Sequence, residues 1–171
     1  MAYDTLYVIV TGAGTARRVP GLLPALTTLA PRVVTLLTPN ATRVVSPREL
    51  ALIPGHQVVE SYFDAAILPR PPRGVVLICP CDFNSLNKLA QGIADNLELS
   101  IAAEAIGRKT PVVVAVSVNA DLRAHPRATQ SISMLRDWGC TVLDAVHLGN
   151  SLTLAPDEEV VATVRDALAS G

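Results

Sequence analysis

Residues 74–97 read GVVLICPCDFNSLNKLAQGIADNL, and the order of patterns inside this stretch sets the fold. Val75 to Cys79 is an unbroken apolar run with no polar alternation, the pattern of a strand buried on both faces. Pro80, Cys81 and Asp82 then form a turn, and helical spacing takes over from Asn84 to Leu97. The same order recurs along the chain. Leu6 to Thr11 is an apolar run leading into TGAGTARR (residues 11–18), and Thr15 to Leu29 carries Val19, Leu22, Leu23, Leu26 and Leu29 on one helical side. Arg32 to Leu37 reads as the second strand. Thr38 is a candidate N-cap with Pro39 at the first helical position, for a helix reaching about Ser46. Ser46-Pro47 opens a further short helix, with Glu49 three residues after its cap.

Ile53 to Gly74, which contains Pro54, Pro69, Pro71 and Pro72, reads as a loop over the sheet edge. Glu98 to Arg108 is a helix, Pro111 to Val116 the fourth strand, Arg127 to Trp138 a helix starting near His125-Pro126, Thr141 to Leu143 the fifth strand, and Asp157 to Ala169 a closing amphipathic helix. Strands alternating with helices predict one α/β domain over residues 1–171, a doubly wound, Rossmann-like parallel sheet in a three-layer sandwich. Ligands of such sheets bind beyond the carboxyl ends of the strands. The loops after Thr11, Leu37, Cys79 and Val116 are therefore where function is sought.

Composition narrows the classes. The 171 residues are 50% hydrophobic and 17% charged, with a net charge of −1. Basic residues are scattered, which argues against a nucleic-acid partner, and no uninterrupted apolar run is long enough for a membrane span. The apolar surplus points to burial between subunits of a homo-oligomer. The start of the chain lacks the marks of a signal peptide. The three cysteines, Cys79, Cys81 and Cys140, show neither disulfide nor metal spacing and fit a reducing cytoplasm. Cys79 ends an apolar run and is expected as a buried thiol.

In the first loop, Gly12 and Gly14 permit close backbone approach and Thr15 offers a hydroxyl at a helix start, where unpaired N–H groups attract an anion. A tight turn and a single-phosphate cradle both satisfy this sequence. The second loop, TPNAT, offers Thr38 and Asn40. The third places Asp82, Asn84, Ser85 and Asn87 at a helix start, suited either to capping or to the edge of a planar polar ring. Asp95 and Asn96 require partners if they lie near the sheet's working edge. In the fourth, SVNADLRAHP, Asn119 is a candidate substrate contact.

At these loops the chain resembles the homo-oligomeric flavin-containing cysteine decarboxylases, from the first strand to about Asn150. Residues 80–97 resemble the flavin motif of that family, in the form beginning Pro-Leu-Asp-Ala-Asn-Thr, and Gly92 to Leu97 match the following Gly-Ile-Ala-Asp-Asn-Leu segment. Residues 116–126 resemble its substrate clamp and keep Asn119, His125 and Pro126. The resemblance implies FMN against Pro80, Cys81, Phe83, Asn84 and Ser85, with its phosphate near Gly12, Gly14, Thr15 and Thr38. It places Asn119 against a substrate carboxylate, and implies trimers, often arranged as dodecamers, with flavin at a subunit contact.

Three departures shape the reading. The position of the family's catalytic histidine falls on Ala66; His56 lies in the proline-rich segment, where a surface role fits it. In the clamp, a proline, two methionines and a tryptophan are replaced by Val116, Val118, Leu122 and Arg123, and Arg123 is a candidate for attracting a carboxylate. The flap that carries a cysteine in phosphopantothenoylcysteine decarboxylases corresponds to VHLGNSL (residues 146–152), with Leu148 at the cysteine. The implied activity is FMN-dependent oxidative decarboxylation of a peptide's C-terminal cysteine to an enethiol. That chemistry belongs to aminovinyl-cysteine formation of the linaridin (cypemycin) kind. Asn119 is then the carboxylate contact, with Leu122 and Arg123 beside the substrate; Asp82 and Asn84 hold the flavin and relay a proton. A non-catalytic flavin-binding regulatory subunit, a phosphopantothenoylcysteine decarboxylase and a flavin prenyltransferase are the alternatives. Scarce aromatics disfavour the last.

Overall fold

The computed structural model describes residues 3–68 and 70–171. Its centre is a six-stranded sheet of β1 (Thr5–Val10), β2 (Arg32–Leu37), β3 (Gln57–Val58), β4 (Val75–Cys81), β5 (Val112–Val116) and β6 (Thr141–Leu143). The strands lie in the order β3-β2-β1-β4-β5-β6 and every pairing is parallel. The strand order reverses between β1 and β4, so the loops leaving these two strands stand side by side. That is the crevice where such sheets hold ligands. A separate antiparallel hairpin joins β7 (Val146–Leu148) to β8 (Ser151–Thr153).

Each central strand is buried along its whole length, as its unbroken apolar run requires. Alternate side chains feed two cores. On one face Tyr7, Ile9, Ile78 and Val114 pack with Leu86, Leu99 and Leu135 from α3 (Phe83–Ala90), α4 (Leu97–Arg108) and α6 (Pro126–Asp137). On the other, Leu6, Val8, Leu77 and Val113 meet Leu23 of α1 (Val19–Thr27) and Val164 of α7 (Asp157–Ala169). The remaining helices are the short α2 (Pro47–Ala51) and α5 (Ala120–Ala124). No helix among the described residues is long and apolar enough to cross a membrane.

The structure departs from the sequence reading at several places, each with a local cause. The helix expected from Thr38 to Ser46 is a single 3-10 turn, Ala41–Arg43, although the Thr38 hydroxyl does accept from the Ala41 N–H at 3.3 Å. The helix expected to reach Leu97 stops at Ala90, because Gly92 adopts φ 71° and Asn96 turns to cap α4 by accepting from the Leu99 N–H at 2.8 Å. Asp95 meets Lys88 at 2.6 Å, so both residues expected to need partners have them. The segment read as a loop over 53–74 contains the edge strand β3, bonded to Val34 and Thr35; Pro69 lies outside the described residues. That segment is tied down by the Tyr7 hydroxyl on the Pro72 carbonyl and Arg108 on that of Pro71, both at 2.8 Å. The fourth-loop helix α5 was not anticipated from periodicity, being too short to show one.

The two ends of α4 carry opposite constraints. Lys109, past its last turn, has φ 57°, the left-handed conformation that a side chain resists. Replacing it with glycine is expected to raise unfolding stability by about 0.5–1 kcal/mol, read as a higher urea midpoint at unchanged slope. At the other end Glu98 is buried, and burial raises its carboxyl above the ordinary value. A raised pKa favours folding while the group is protonated and is lost as pH climbs through the folded value. Glu98→Gln is thus expected to stabilise the protein at neutral pH. The gain should vanish below the ordinary glutamate pKa, which paired urea titrations at the two pH values measure.

Candidate functional site

At the reversal point the chain ties its own loops together. The Thr11 hydroxyl donates to the Pro80 carbonyl at 2.7 Å and accepts from the Asp82 N–H at 2.8 Å. Asp82 then uses both carboxylate oxygens: one accepts from the Gly12 N–H at 3.1 Å, the other caps α3 through the Ser85 N–H at 2.8 Å. Gly12 must be glycine for a steric reason, since a Cβ there would lie 2.6 Å from the Asn40 Cβ of the second loop. The fourth loop joins by the Ser117 N–H, which donates to the Cys81 carbonyl at 2.9 Å, and by a 2.6 Å contact between the Ser117 and Thr15 hydroxyls. The four loops in which the sequence placed function meet here.

Two cavities open over this knot and share Asp82 and Asn84. The larger, about 590 Å³, is walled by Gly12 to Thr15 on one side and by Ser117 to Asn119 with Leu122 on the other; Phe83 and Leu152 also line it. The smaller, about 180 Å³, lies over Thr38, Pro39 and Asn40 and includes Ser85, Lys88, Asp95 and Asn96. Together they fall within the size range of small-molecule sites.

Not every expected residue takes part as expected. Pro80 and Cys81 are buried beneath the floor and present no side chain to either cavity. Thr38 opens on the smaller cavity and Gly12, Gly14 and Thr15 on the larger, so the four do not surround one point. Arg123 is not free for a substrate: its guanidinium grips Asp144 through contacts of 2.9, 3.2 and 2.7 Å. Asn119 caps α5 by accepting from the Leu122 N–H at 2.9 Å, which leaves its amide N–H groups for another partner. Phe83, Asn84 and Leu122 do line the larger cavity. Sequence reasoning passed over Ala13, Ser117, Leu152 and Lys88, and took Val118 only as a changed clamp position. Ala13 lies between two chosen glycines, Ser117 two residues before Asn119, and Lys88 has the helical spacing to stand one turn beyond Asn84.

The histidines are accounted for differently. His56 donates from Nε2 to the Leu50 carbonyl at 2.9 Å, which leaves Nδ1 beside the Thr35 hydroxyl at 2.8 Å, at the far edge of the sheet. His125 accepts at Nδ1 from the Arg127 N–H at 3.1 Å and stands edge-on to Phe83 at 5.4 Å. Ala66 is buried with its N–H on Asp64 at 2.8 Å and its carbonyl on Arg32 at 3.0 Å. The thiols are buried and kept protonated: burial pushes Cys79 up to about 12, Cys140 to about 11, and Cys81 well above its ordinary value.

The family described as Flavoprotein matches residues 2–168. Among curated proteins, the coenzyme A biosynthesis bifunctional protein CoaBC of Thermococcus kodakarensis is 24% identical over 135 residues, 75% of this chain. The chain spans about a third, 33%, of that relative's length. Among solved structures, the FMN-dependent cysteine decarboxylase SpaF superposes with a TM-score of 0.81 at 25% identity, covering 99% of both chains. A PPC decarboxylase mutant complexed with pantothenoylaminoethenethiol gives 0.82 at 20% identity, covering 98% of this chain and 100% of that one.

The knot is testable without any ligand. Asp82→Ala removes the cap of α3 and the acceptor for Gly12, and is expected to cost about 2 kcal/mol. Chemical denaturation measures the loss; one below about 0.5 kcal/mol would show that the carboxylate does not hold the loops.

Proposed function

The chain belongs to the Flavoprotein family, and from that premise we propose that it binds FMN and oxidatively decarboxylates the C-terminal cysteine of a ribosomally made peptide. The observation that carries the reading is the cleft at the strand-order reversal, whose residues suit a flavin. Gly12, Ala13 and Gly14 present backbone without bulk, and a Cβ on Gly14 would meet nothing within 4 Å. Asn84 belongs to both cavities, so its amide can pair the edge of a planar ring that bridges them. Thr15, Thr38 and Asn40 supply polar side chains for the ribityl and phosphate portion, with Lys88 the nearby cation. The whole chain, residues 1–171, is read as one flavin-binding unit, and a homo-oligomer of it fits the exposed Phe63 and Leu148.

When bound, the flavin supplies the two-electron oxidation of the cysteine carbon–sulfur unit, while the protein orients the substrate and excludes water. Asn119 is the residue we assign to the carboxylate; the cap on α5 uses its oxygen and leaves its N–H groups as donors, which supports the assignment. Once the carbon bears a thiocarbonyl, carbon dioxide leaves readily because its electron pair passes onto sulfur as an enethiolate. Val118, Leu122 and Leu152 make that wall apolar, which favours release of an uncharged gas. Whole-length similarity to an FMN-dependent cysteine decarboxylase supports the reading. A role in coenzyme A biosynthesis would need the flap cysteine for which Leu148 stands here.

A flavin-binding regulatory subunit is the second reading, favoured by Ala66 at the position of the family's histidine. Purified protein supplied with FMN and peptides ending in cysteine separates the two. Loss of carbon dioxide plus two hydrogens from the peptide mass is the expected result, and a flavin-loaded protein that leaves every such peptide intact supports the regulator. Asn119→Ala is expected to lower kcat/KM roughly 10- to 100-fold, the worth of a hydrogen bond to a charged group. Turnover at the full rate in that variant removes Asn119 from its role.

A further inference from the structure

The β7–β8 hairpin stands outside the main sheet, with three residues in each strand, and a two-stranded ribbon is marginal by itself in water. Something else must hold it. Its register sets His147 opposite Leu152, so their side chains share one face. Leu152 lines the larger cavity, while His147 beside it is exposed to solvent.

Both roots of this hairpin are gripped by arginines that come from the two opposing walls of the cleft. Asp144, two residues before β7, receives Arg123 Nε at 2.9 and 3.2 Å and Nη2 at 2.7 Å, while Arg123 Nη1 reaches the Thr129 hydroxyl at 3.0 Å. The second grip is on the residues after β8. Arg18 donates to the carbonyls of Leu154 at 3.1 Å and Ala155 at 2.9 Å, and pairs with Asp157. Leu154 and Ala155 are buried, so these carbonyls would lack partners without it. Arg18 ends the 3-10 turn that begins at Gly14, and Arg123 follows Leu122 in α5. A planar guanidinium fork can hold a carboxylate or two carbonyls in fixed orientation, which a lysine cannot.

We infer that Arg18 and Arg123 are positioning residues that moor the two roots of the hairpin, which corresponds to the family's flap, to the two walls of the cleft, so that Leu152 is held over it as a roof. Arg123 thus holds the roof instead of binding the substrate's carboxylate. Hydrogen bonding to Asp144 raises Arg123 above its ordinary pKa. For Asp144, burial opposes the charge but the bonds and charges around it prevail, and its carboxyl lies below the ordinary value. The pair is therefore charged at neutral pH.

The inference rests on the proposed function only in its kinetic arm. Hydrogen exchange on the chain, with and without FMN, reads the hairpin directly. Amides of residues 146–153 are expected to exchange about tenfold faster in Arg123→Met and in Arg18→Met, as a local opening made easier. The double variant Arg123→Met/Asp144→Asn should exchange no faster than Arg123→Met, because the two residues act as one grip. With a peptide ending in cysteine, Arg123→Met is expected to raise KM by more than it lowers kcat, and Arg123→Lys should recover only part of the loss. Unchanged hairpin exchange in both arginine variants overturns the mooring, as do effects that multiply in the double variant. Should Arg123→Met fail to fold, Asp144→Asn reads the same grip. A wild-type chain that leaves all peptides intact would count against the proposed activity, while the exchange result would still decide the mooring.

Discussion

The pairing of Asp82 with both the first loop and the third is the constraint from which the rest of the site follows. A carboxylate that accepts from Gly12 and from Ser85 at once cannot move without releasing a backbone donor, and such a release costs more than the bond itself is worth. Thr11 repeats the device one residue earlier, using its hydroxyl as donor and acceptor together. The sheet brings the two strands into register, but it is these side chains that fix how their loops leave it. Glycine at position 12 follows from the same closeness, because the neighbouring loop occupies the space of a side chain.

Charge is distributed sparingly around this knot. Among the described residues no lysine or arginine lines the larger cavity; its polar character comes from amides, hydroxyls and Asp82. The cation nearest the floor, Lys88, belongs to the smaller cavity and is already neutralised by Asp95. The two arginines close to the cleft spend their donors on the protein itself. Such a site is organised by fixed dipoles and shape, which need no rearrangement when a ligand with a conjugated ring arrives.

The layered sheet was legible in the sequence because its strands are continuous apolar runs, and a run of that kind has few other uses in a chain of this length. Arg32–Leu37, Thr141–Leu143 and Asp157–Ala169 begin and end where the pattern says. The elements that went unseen share a cause. β3, α5 and the hairpin strands have five residues or fewer, too few for a period to emerge, and they exist because neighbours bond to them. Residue types marked the loops correctly as a group, but they did not separate a side chain facing the cleft from one below it. Pro80 and Cys81 sit in the same motif as Asn84, yet the continuation of β4 buries them. Arg123 illustrates the other blind spot, since nothing within its own segment announces Asp144, 21 residues away.

The burial of every cysteine carries a practical meaning. Cys79 and Cys81 have no exposed surface and Cys140 is only 6% exposed, with each thiol held in its unreactive protonated form. The folded protein is thus expected to react slowly with thiol-directed reagents. Fast alkylation in a mixture of this chain and a cysteine-bearing peptide then reports the sulfur of the peptide, so the fate of that one atom can be followed against a quiet background.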